Sequence, residues 1–165
     1  MLLKIGHQEI SDGSGHDAAY AVLKKLWQEE IGGSFPQIAC TKRGKPYFVD
    51  TPVYFSITHT KNHAFCVLSD VPVGIDAEEV IRKIKPTLAE KVLSPGEYRQ
   101  YLAAEDKNRA LLTFWVLKEA AAKCTGEGIR IHPTHTDFSL QDLRVKEIHG
   151  CLVAVVQEQE KENAF

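Results

Sequence analysis

Apolar residues recur along this chain with two different spacings, which predict a mixture of helices and strands. Over residues 16–31, and again over 106–124, they return every three to four positions. This spacing puts them on one face of a helix, so both stretches are predicted to be long helices. Gly32, Gly33 and Gly126 stand where these helices would end.

Shorter apolar runs predict strands, and polar pairs between them predict tight turns. Lys61-Asn62 separates two of the runs, and His149-Gly150 separates the last two. The predicted strands are 2–5, 54–60, 63–69, 71–78, 138–140, 143–148 and 150–157. A strand, a long helix and a strand pair precede residue 72, and elements of the same kinds follow it. The chain therefore has a weak two-part organisation.

A capping box marks the start of a further helix. Ser94 is suited to the N-cap, Pro95 to the first helical position and Glu97 to the third. The pattern predicts a helix from there to about residue 104, preceded by a helical stretch over 87–93.

Composition and charge narrow the classes of function. The 165 residues, 44% of them hydrophobic, suit one soluble unit or two small packed halves. A net charge of −2 gives no whole-chain field that favours nucleic acid. No apolar run approaches the roughly 18 residues of a membrane span, and no signal peptide is expected. Cys40, Cys66, Cys124 and Cys151 include no C-x-x-C pair, which indicates reduced thiols in a cytoplasmic protein.

Two acids end the apolar run in the middle of the chain. Asp76 and Glu78 are spaced i, i+2, so a strand places both side chains on one face. Neighbouring carboxylates repel each other and are costly to desolvate unless a cation lies between them, and Mg²⁺ prefers oxygen ligands. The alternative is a strand that runs out into solvent with its acids hydrated. This stretch alone does not decide between the two.

Basic and hydroxyl side chains occur on predicted turns and strand ends before these acids. Arg43 and Lys45 lie on a Gly-Pro turn that can wrap a phosphate, although a solvated loop is the commoner interpretation. Thr58, His59 and Thr60 fall near a strand end, where hydroxyls and an imidazole can bind an anion. A lone histidine in such a place is more often structural.

A third acid lies in the last long helix. Glu119 and Lys123 share a helix face at spacing i, i+4. The pair is typical of a surface ion pair, or of a metal ligand with a phosphate-binding lysine one turn away. The aromatic pair Phe114-Trp115 would hold this helix rigidly, as a metal ligand requires.

Two other stretches carry weaker signals. Residues 82–91 are locally basic, which alone indicates a solvated face. His132 and His135 have a spacing found in metal sites, but the proline between them predicts a loop, and no partner cysteine or acid is near in sequence.

Four motifs, taken in order, give the chain a resemblance to a known family. They are Gly44-Lys45-Pro46-Tyr47, Phe55-Ser56-Ile57-Thr58-His59-Thr60, Gly74-Ile75-Asp76-Ala77-Glu78 and Trp115-Val116-Leu117-Lys118-Glu119-Ala120-Ala121-Ala122-Lys123. The set resembles the 4′-phosphopantetheinyl transferases, with patterns G-K-P-x, F-x-x-S-H-S, G-I-D-x-E and W-x-x-K-E-x-x-x-K. It is most similar to the larger, surfactin-synthetase-activating type in a shortened form, over about residues 43–125. Thr58 and Thr60 replace the usual serines, and Val116 replaces a small polar residue.

The resemblance implies an α+β fold, a pseudodimer of two similar halves, each a small antiparallel sheet packed on a long helix. Residues 1–72 would form the N-terminal half, on the side that binds the coenzyme A phosphates. Residues 73–165 would form the C-terminal half, with the metal site and the carrier-docking side. The Lys45 and His59 segments precede the central acids in the same chain, so we expect a monomer with one site at the junction.

The resemblance also implies the ligands and their residues. Mg²⁺, with Mn²⁺ as an alternative, would be held by Asp76, Glu78 and Glu119. Glu119 and Lys123 are the implied catalytic residues, with Glu119, directly or through a metal-bound water, as base for a serine of an acyl or peptidyl carrier protein. The implied contacts of the substrate coenzyme A are Arg43, Lys45, Thr58, His59, Asp76, Lys118 and Lys123. Because carrier proteins are acidic, we expect Arg82, Lys83 and Lys85 to dock them.

Two other classes of function use the same residue types. A metal-dependent phosphodiesterase would use the acids to hydrolyse a simple ester without a carrier protein. A non-catalytic module would bind coenzyme A or a nucleotide without transfer. Val116 and the short N-terminal half are the features that leave room for the second.

Overall fold

The first half of the chain builds a three-stranded antiparallel sheet covered by one long helix. The computed structural model of the protein describes residues 1–127 and 136–158. Its N-terminal elements are β1 (Leu3–Glu9), α1 (Gly15–Glu30), β2 (Ile38–Cys40), β3 (Pro46–Phe48), β4 (Tyr54–His59) and β5 (His63–Ser69). The sheet order is β1-β5-β4, and β2 pairs with β3 as a separate ribbon.

α1 forms where the helical spacing predicts it. The Ser14 hydroxyl caps the helix by accepting a hydrogen bond from the backbone N–H of Asp17, and Gly32 follows the helix with φ +77°. The buried face of α1 packs on the inner face of the sheet. This core includes Ala19, Val22, Leu23, Leu26 and Trp27 from the helix and Phe48, Phe55, Ala64, Cys66 and Leu68 from the strands.

The second half repeats the same kinds of element. It contains β6 (Val73–Glu79), a 3₁₀ turn (Pro86–Leu88), α2 (Ala89–Val92), α3 (Pro95–Ala103), α4 (Lys107–Thr125), β7 (Val145–Ile148) and β8 (Cys151–Gln157). The sheet order is β6-β8-β7, and all pairings are antiparallel. Leu112, Val116, Leu117 and Ala120 of α4 pack against Leu152, Ala154 and Val156 of β8.

Local chemistry fixes the ends of these elements. Asp106 caps α4 by accepting from the backbone N–H of Arg109, and Gly126 ends the helix in the left-handed conformation. The β7–β8 turn consists of His149 and Gly150, both with positive φ, which suits a two-residue hairpin turn. The predicted capping box of α3 is confirmed. None of the helices in the described ranges is long and apolar enough to cross a membrane.

The two halves share one connectivity. Each runs strand, long helix, strand, strand, and in each the last strand lies in the centre of the sheet. The predicted combination of helices and antiparallel sheets is therefore confirmed. That the halves form a pseudodimer, and that they divide at residue 72, stay predictions.

The halves pack face to face, and their edges also meet. Phe65 and Val67 of β5 pack against Val73, Ile75 and Ala77 of β6 in a shared core. At the edge, β4 lies beside β6, and the Ile75 N–H donates to the Ser56 hydroxyl over 3.1 Å. This edge brings the end of β4 next to the acids of β6.

One short predicted strand is wrong. Residues 138–140 form no strand, because Phe138 and Leu140 donate their backbone N–H groups to Glu97 and Gln100 of α3. The helical stretch predicted over 87–93 is confirmed through residue 92, in two pieces, the 3₁₀ turn and the four-residue α2. His132 and His135, and the polar tail after residue 158, lie outside the described residues.

Gly74 is the residue that lets α4 lie directly on β6. A Cβ atom at this position would lie 2.0 Å from the carbonyl oxygen of Ala120 and 2.5 Å from the amide nitrogen of Cys124. Both are backbone atoms of α4, so the helix as a whole would have to move to accommodate a side chain.

We therefore expect Gly74→Ala to lower the free energy of unfolding by about 1–3 kcal/mol, the usual cost of overpacking. Urea denaturation followed by circular dichroism measures it. Gly6→Ala is the control, since its Cβ would meet only side-chain atoms, at 2.8 Å from Val22 and 3.0 Å from Cys66. Equal losses in the two variants would contradict the special role of Gly74.

Candidate active site

A cleft lies between the two halves, where β4 and β6 meet α4. One cavity in it has a volume of about 420 Å³. Its lining includes the three acids singled out in the sequence, Asp76, Glu78 and Glu119, together with the cations Arg82 and Lys123. The structure thus brings two acids of a strand and one acid of a helix to the same space.

A second cavity, of about 290 Å³, opens beside the first. The two cavities share Glu119 and Lys123, which stand at their junction. Arg43 and Lys45 line the second cavity. The cleft therefore has an acidic end and a basic end, in contact through Lys123.

Asp76 is the most buried of the three acids, with 7% of its surface exposed. Its Oδ1 atom accepts hydrogen bonds from the Thr58 hydroxyl over 3.2 Å and from the Lys123 ammonium over 2.8 Å. Its buried Oδ2 atom has no hydrogen-bond partner in the described part of the chain. Burial raises the pKa of this carboxyl, although Lys123 opposes the shift.

Glu78 lies on the same face of β6, two residues further along. Its carboxylate forms an ion pair with the guanidinium of Arg82, which also lines the larger cavity. Only 16% of the Glu78 side chain is exposed, against 48% for Arg82. Arg82 therefore faces the cleft through this ion pair while about half of its side chain stays exposed.

Glu119 faces the two strand acids from α4. Burial and the charge of Asp76 raise the pKa of its carboxyl to about 7, while Lys123 acts in the opposite direction. Trp115, one turn earlier on α4, lines the same cavity. A carboxyl of this kind accepts a proton close to neutral pH.

The basic end of the cleft is attached to the last turn of α4. The Lys45 ammonium donates to the carbonyl oxygen of Cys124 over 2.7 Å, and Arg43 donates to the carbonyl oxygen of Glu127 over 3.3 Å. Burial lowers the pKa of Lys45. A cation is stabilised at this position by the carbonyl end of the helix dipole.

Lys118 lies apart from the other implied coenzyme A contacts. It is 5% exposed, and its ammonium lies 2.7 Å from a carboxylate oxygen of Glu97, which is fully buried. It also donates to the Thr136 hydroxyl over 2.8 Å. The same Glu97 carboxylate accepts the backbone N–H of Ser94 in the capping box. The placement of Lys118 therefore does not support a phosphate contact. Lys118 instead joins α4 to α3 through its ion pair with Glu97.

The acidic end offers ligands that suit a hard divalent cation. Within the described ranges, no three His, Cys, Asp or Glu side chains are grouped so as to hold a metal ion as they stand. Asp76 instead forms an ion pair with Lys123, and Glu78 forms one with Arg82. The buried and unbonded Oδ2 of Asp76 and the all-carboxylate donor set nevertheless match the ligand preference of Mg²⁺.

Comparison with known proteins shows to which superfamily the chain belongs. A family model described as the 4′-phosphopantetheinyl transferase superfamily matches residues 72–163, more than half of the 165-residue chain. The chain belongs to this superfamily.

Several individual relatives match part of this superfamily member. It is 37% identical over 89 residues to "4′-phosphopantetheinyl transferase psf-1" of Bacillus pumilus, which covers 52% of this chain and 38% of the relative. It is 36% identical over 91 residues to "4′-phosphopantetheinyl transferase gsp" of Aneurinibacillus migulanus, covering 53% and 37%. With a "Holo-[acyl-carrier-protein] synthase" of Edwardsiella ictaluri the identity is 43% over 51 residues, covering 31% and 40%. The chain thus spans about two fifths of these relatives.

The sequence alone does not predict that His16 lines the cleft. His16, in the first turn of α1, lines the larger cavity together with His59 of β4. Gly15 makes this approach possible, because a Cβ there would lie 2.3 Å from the His59 ring. The only signal in the sequence is the Ser14 cap, which marks a helix start but does not indicate what that start faces.

The buried position of Lys118 generates a stability prediction. Lys118→Met leaves the fully buried Glu97 carboxylate without its cation, so we expect a loss of about 3–5 kcal/mol in the free energy of unfolding. Chemical denaturation measures this loss. Lys91→Met, which changes an exposed lysine of α2 in the same way, is the control and should cost little. A loss for Lys118→Met no larger than that of the control would contradict the buried ion pair.

The raised pKa of Glu119 generates a pH prediction. Its carboxyl ionises near 4.5 in the unfolded chain and at about 7 in the folded protein. Its contribution to stability is therefore fully present below pH 4.5 and is lost as the pH rises through about 7.

Thermal unfolding in EDTA between pH 5 and pH 8 tests this prediction against Glu119→Gln. The melting temperature of the wild type should fall relative to that of the variant as the pH rises. Parallel pH profiles for the two proteins would show that Glu119 is not the titrating group.

Proposed function

We propose that this protein transfers the 4′-phosphopantetheine arm of coenzyme A to a serine of an apo acyl or peptidyl carrier protein, releasing adenosine 3′,5′-bisphosphate. The observation that carries the proposal is the meeting of Asp76 and Glu78 of β6 with Glu119 of α4 in one cavity, beside Lys123. Similarity to relatives named as 4′-phosphopantetheinyl transferases and a holo-[acyl-carrier-protein] synthase supports it.

Asp76, Glu78 and Glu119 are the residues proposed to hold Mg²⁺, with Mn²⁺ as an alternative. When bound, such an ion neutralises the charge of a diphosphate and of its transition state. Lys123 and Arg82 are paired with Asp76 and Glu78 in this structure. On this proposal, Lys123 and Arg82 leave these carboxylates and bind phosphate oxygens of the substrate instead.

Glu119 is the proposed general base. The serine hydroxyl oxygen forms a bond to the β-phosphorus of coenzyme A, and the bond from that phosphorus to the oxygen bridging to the α-phosphate breaks. Glu119 accepts the hydroxyl proton, and the bisphosphate leaves with the electron pair. A carboxyl whose pKa is raised to about 7 by burial and by Asp76 is well matched to this proton transfer near neutral pH.

The remaining cations of the cleft are proposed to position the phosphates. Arg43, Lys45 and Lys123 line the smaller cavity, and His59 lines the larger one. Thr58 is a proposed hydrogen-bond donor, and its hydroxyl already donates to Asp76. Positioning and charge neutralisation are the main demands of phosphoryl-transfer chemistry, so a cleft with fixed acids and cations is suited to it.

The proposed docking face for the carrier follows β6. Lys83 and Lys85 are exposed there, and complementary charge would speed the encounter with an acidic carrier. Arg82 begins this run, but its ion pair with Glu78 directs it into the cleft. The side of the molecule that presents the lysines is thus continuous with the acidic end of the cleft. We propose that one monomer carries one complete site.

A transfer assay tests the proposal. The protein is mixed with Mg²⁺, coenzyme A and an apo carrier protein, and the carrier is weighed by mass spectrometry. We expect a mass gain of one phosphopantetheine group, which EDTA abolishes. Asp76→Asn and Glu119→Gln should each lose at least about a hundredfold in kcat, the usual scale for removing a group that stabilises the transition state.

Leu143→Ser, a change at an exposed position remote from the cleft, is the matched control and should transfer normally. Hydrolysis of a phosphate ester or of coenzyme A without a carrier would favour a phosphodiesterase instead. Binding of coenzyme A without transfer to any acyl or peptidyl carrier would favour a binding module.

A further inference from the structure

The loop after β6 is held rigidly by one side chain of α4. Asn108 donates from Nδ2 to the carbonyl oxygen of Arg82 over 2.8 Å. Its Oδ1 accepts the backbone N–H of Ile84 over 3.0 Å. A backbone hydrogen bond from Arg82 to the carbonyl oxygen of Glu79, 2.9 Å long, closes the turn between them. The loop is therefore held in a defined conformation by these three hydrogen bonds.

Two isoleucines in this loop have opposite environments. Ile84 packs against the core beneath α4, near Leu112 and Val116. Ile81 is 76% exposed, although it lies in the same hydrogen-bonded turn. A β-branched apolar side chain has little rotamer entropy left to lose on binding, so a fixed and exposed Ile81 is preorganised for contact with a partner.

Charge around Ile81 indicates what kind of partner fits. Lys83 and Lys85 are exposed in the same loop, while the Arg82 charge is paired with Glu78 inside the cleft. Net positive charge around one apolar contact is complementary to an acidic helix with an apolar residue among its acids. Because Arg82 lines the larger cavity, a partner seated on Ile81 is next to the acids.

We propose that Ile81, held in place by Asn108, is the apolar anchor onto which an acidic helix of the carrier protein docks. Lys83 and Lys85 orient that helix by charge, and Ile81 supplies the contact that persists when charge is screened. This inference rests on the proposed function and names the residue by which its protein substrate is held. Asn108 acts through the loop and is a positioning residue.

The test measures steady-state transfer and direct binding with two probes, an apo acyl carrier protein and an apo peptidyl carrier protein, in parallel. We expect Ile81→Ser to raise KM and Kd for the carrier about tenfold, the scale of losing one buried aliphatic contact. The KM for coenzyme A and kcat at saturating carrier should stay unchanged. Leu143→Ser, which removes another exposed apolar side chain next to β7 at the far edge of the sheet, is the control and should change neither constant.

Salt dependence separates the anchor from the charges. The double variant Lys83→Glu/Lys85→Glu should bind the carrier weakly at low salt, and its deficit should shrink at high salt. The deficit of Ile81→Ser should remain at both salt concentrations. Asn108→Ala should raise the carrier KM severalfold with coenzyme A KM unchanged. Asn108→Asp keeps the acceptor for the Ile84 N–H and should fall between Asn108→Ala and the wild type.

The possible failures are distinguishable. If the wild type transfers to a carrier and Ile81→Ser has the wild-type KM and Kd, the anchor is overturned and the proposed function stands. If the wild type binds a carrier without transfer and Ile81→Ser weakens that binding, the docking surface stands and the proposed function fails. If the wild type neither binds nor loads either carrier, both are overturned.

Discussion

The close contact between β6 and α4 is the constraint on which the site depends. Gly74 has no side chain, so the carbonyl oxygen of Ala120 can lie 2.0 Å from the place that a Cβ atom would occupy. With the helix backbone resting on the strand, Asp76 on the strand and Glu119 and Lys123 on the helix are brought to one cavity. A wider separation of strand and helix, such as ordinary side chains produce, would draw these groups apart. Gly74 has no functional group of its own, but the close packing that it permits determines where Asp76, Glu119 and Lys123 meet.

The resulting concentration of acids would be unfavourable without nearby cations. Burial raises the pKa values of Asp76 and Glu119, which shows that the cleft disfavours their charged forms. Lys123 and Arg82, each within hydrogen-bonding distance of one acid, offset part of that cost. These cations are also the groups that a phosphate would attract. The cleft therefore holds three acids beside two cations, and each of these cations is ion-paired with one of the acids.

Much of the fold follows from the periodicity of the sequence, because its long elements are strongly patterned. The helical spacing locates α1 and α4, and the alternation around Lys61-Asn62 locates the β4–β5 hairpin. Short apolar runs are ambiguous between strand and irregular chain, which is why residues 138–140 are wrongly predicted. Their backbone bonds to Glu97 and Gln100 depend on the position of α3, which no local pattern contains.

The same distinction applies to the site. The i, i+2 spacing correctly predicts that Asp76 and Glu78 share a face, and the motif in α4 locates Glu119 in the same cavity. Lys118 is adjacent to Glu119 in sequence, but consecutive helical residues point in different directions, and its partner Glu97 comes from another helix. His16 reaches the cavity only through tertiary packing. The hydrogen bond from Lys45 to the Cys124 carbonyl also crosses from one half to the other, and it occupies a carbonyl oxygen in the last turn of α4. A bound anion that drew Lys45 away would release that oxygen, so occupancy of the cleft and the order of the last turn of α4 are thermodynamically linked.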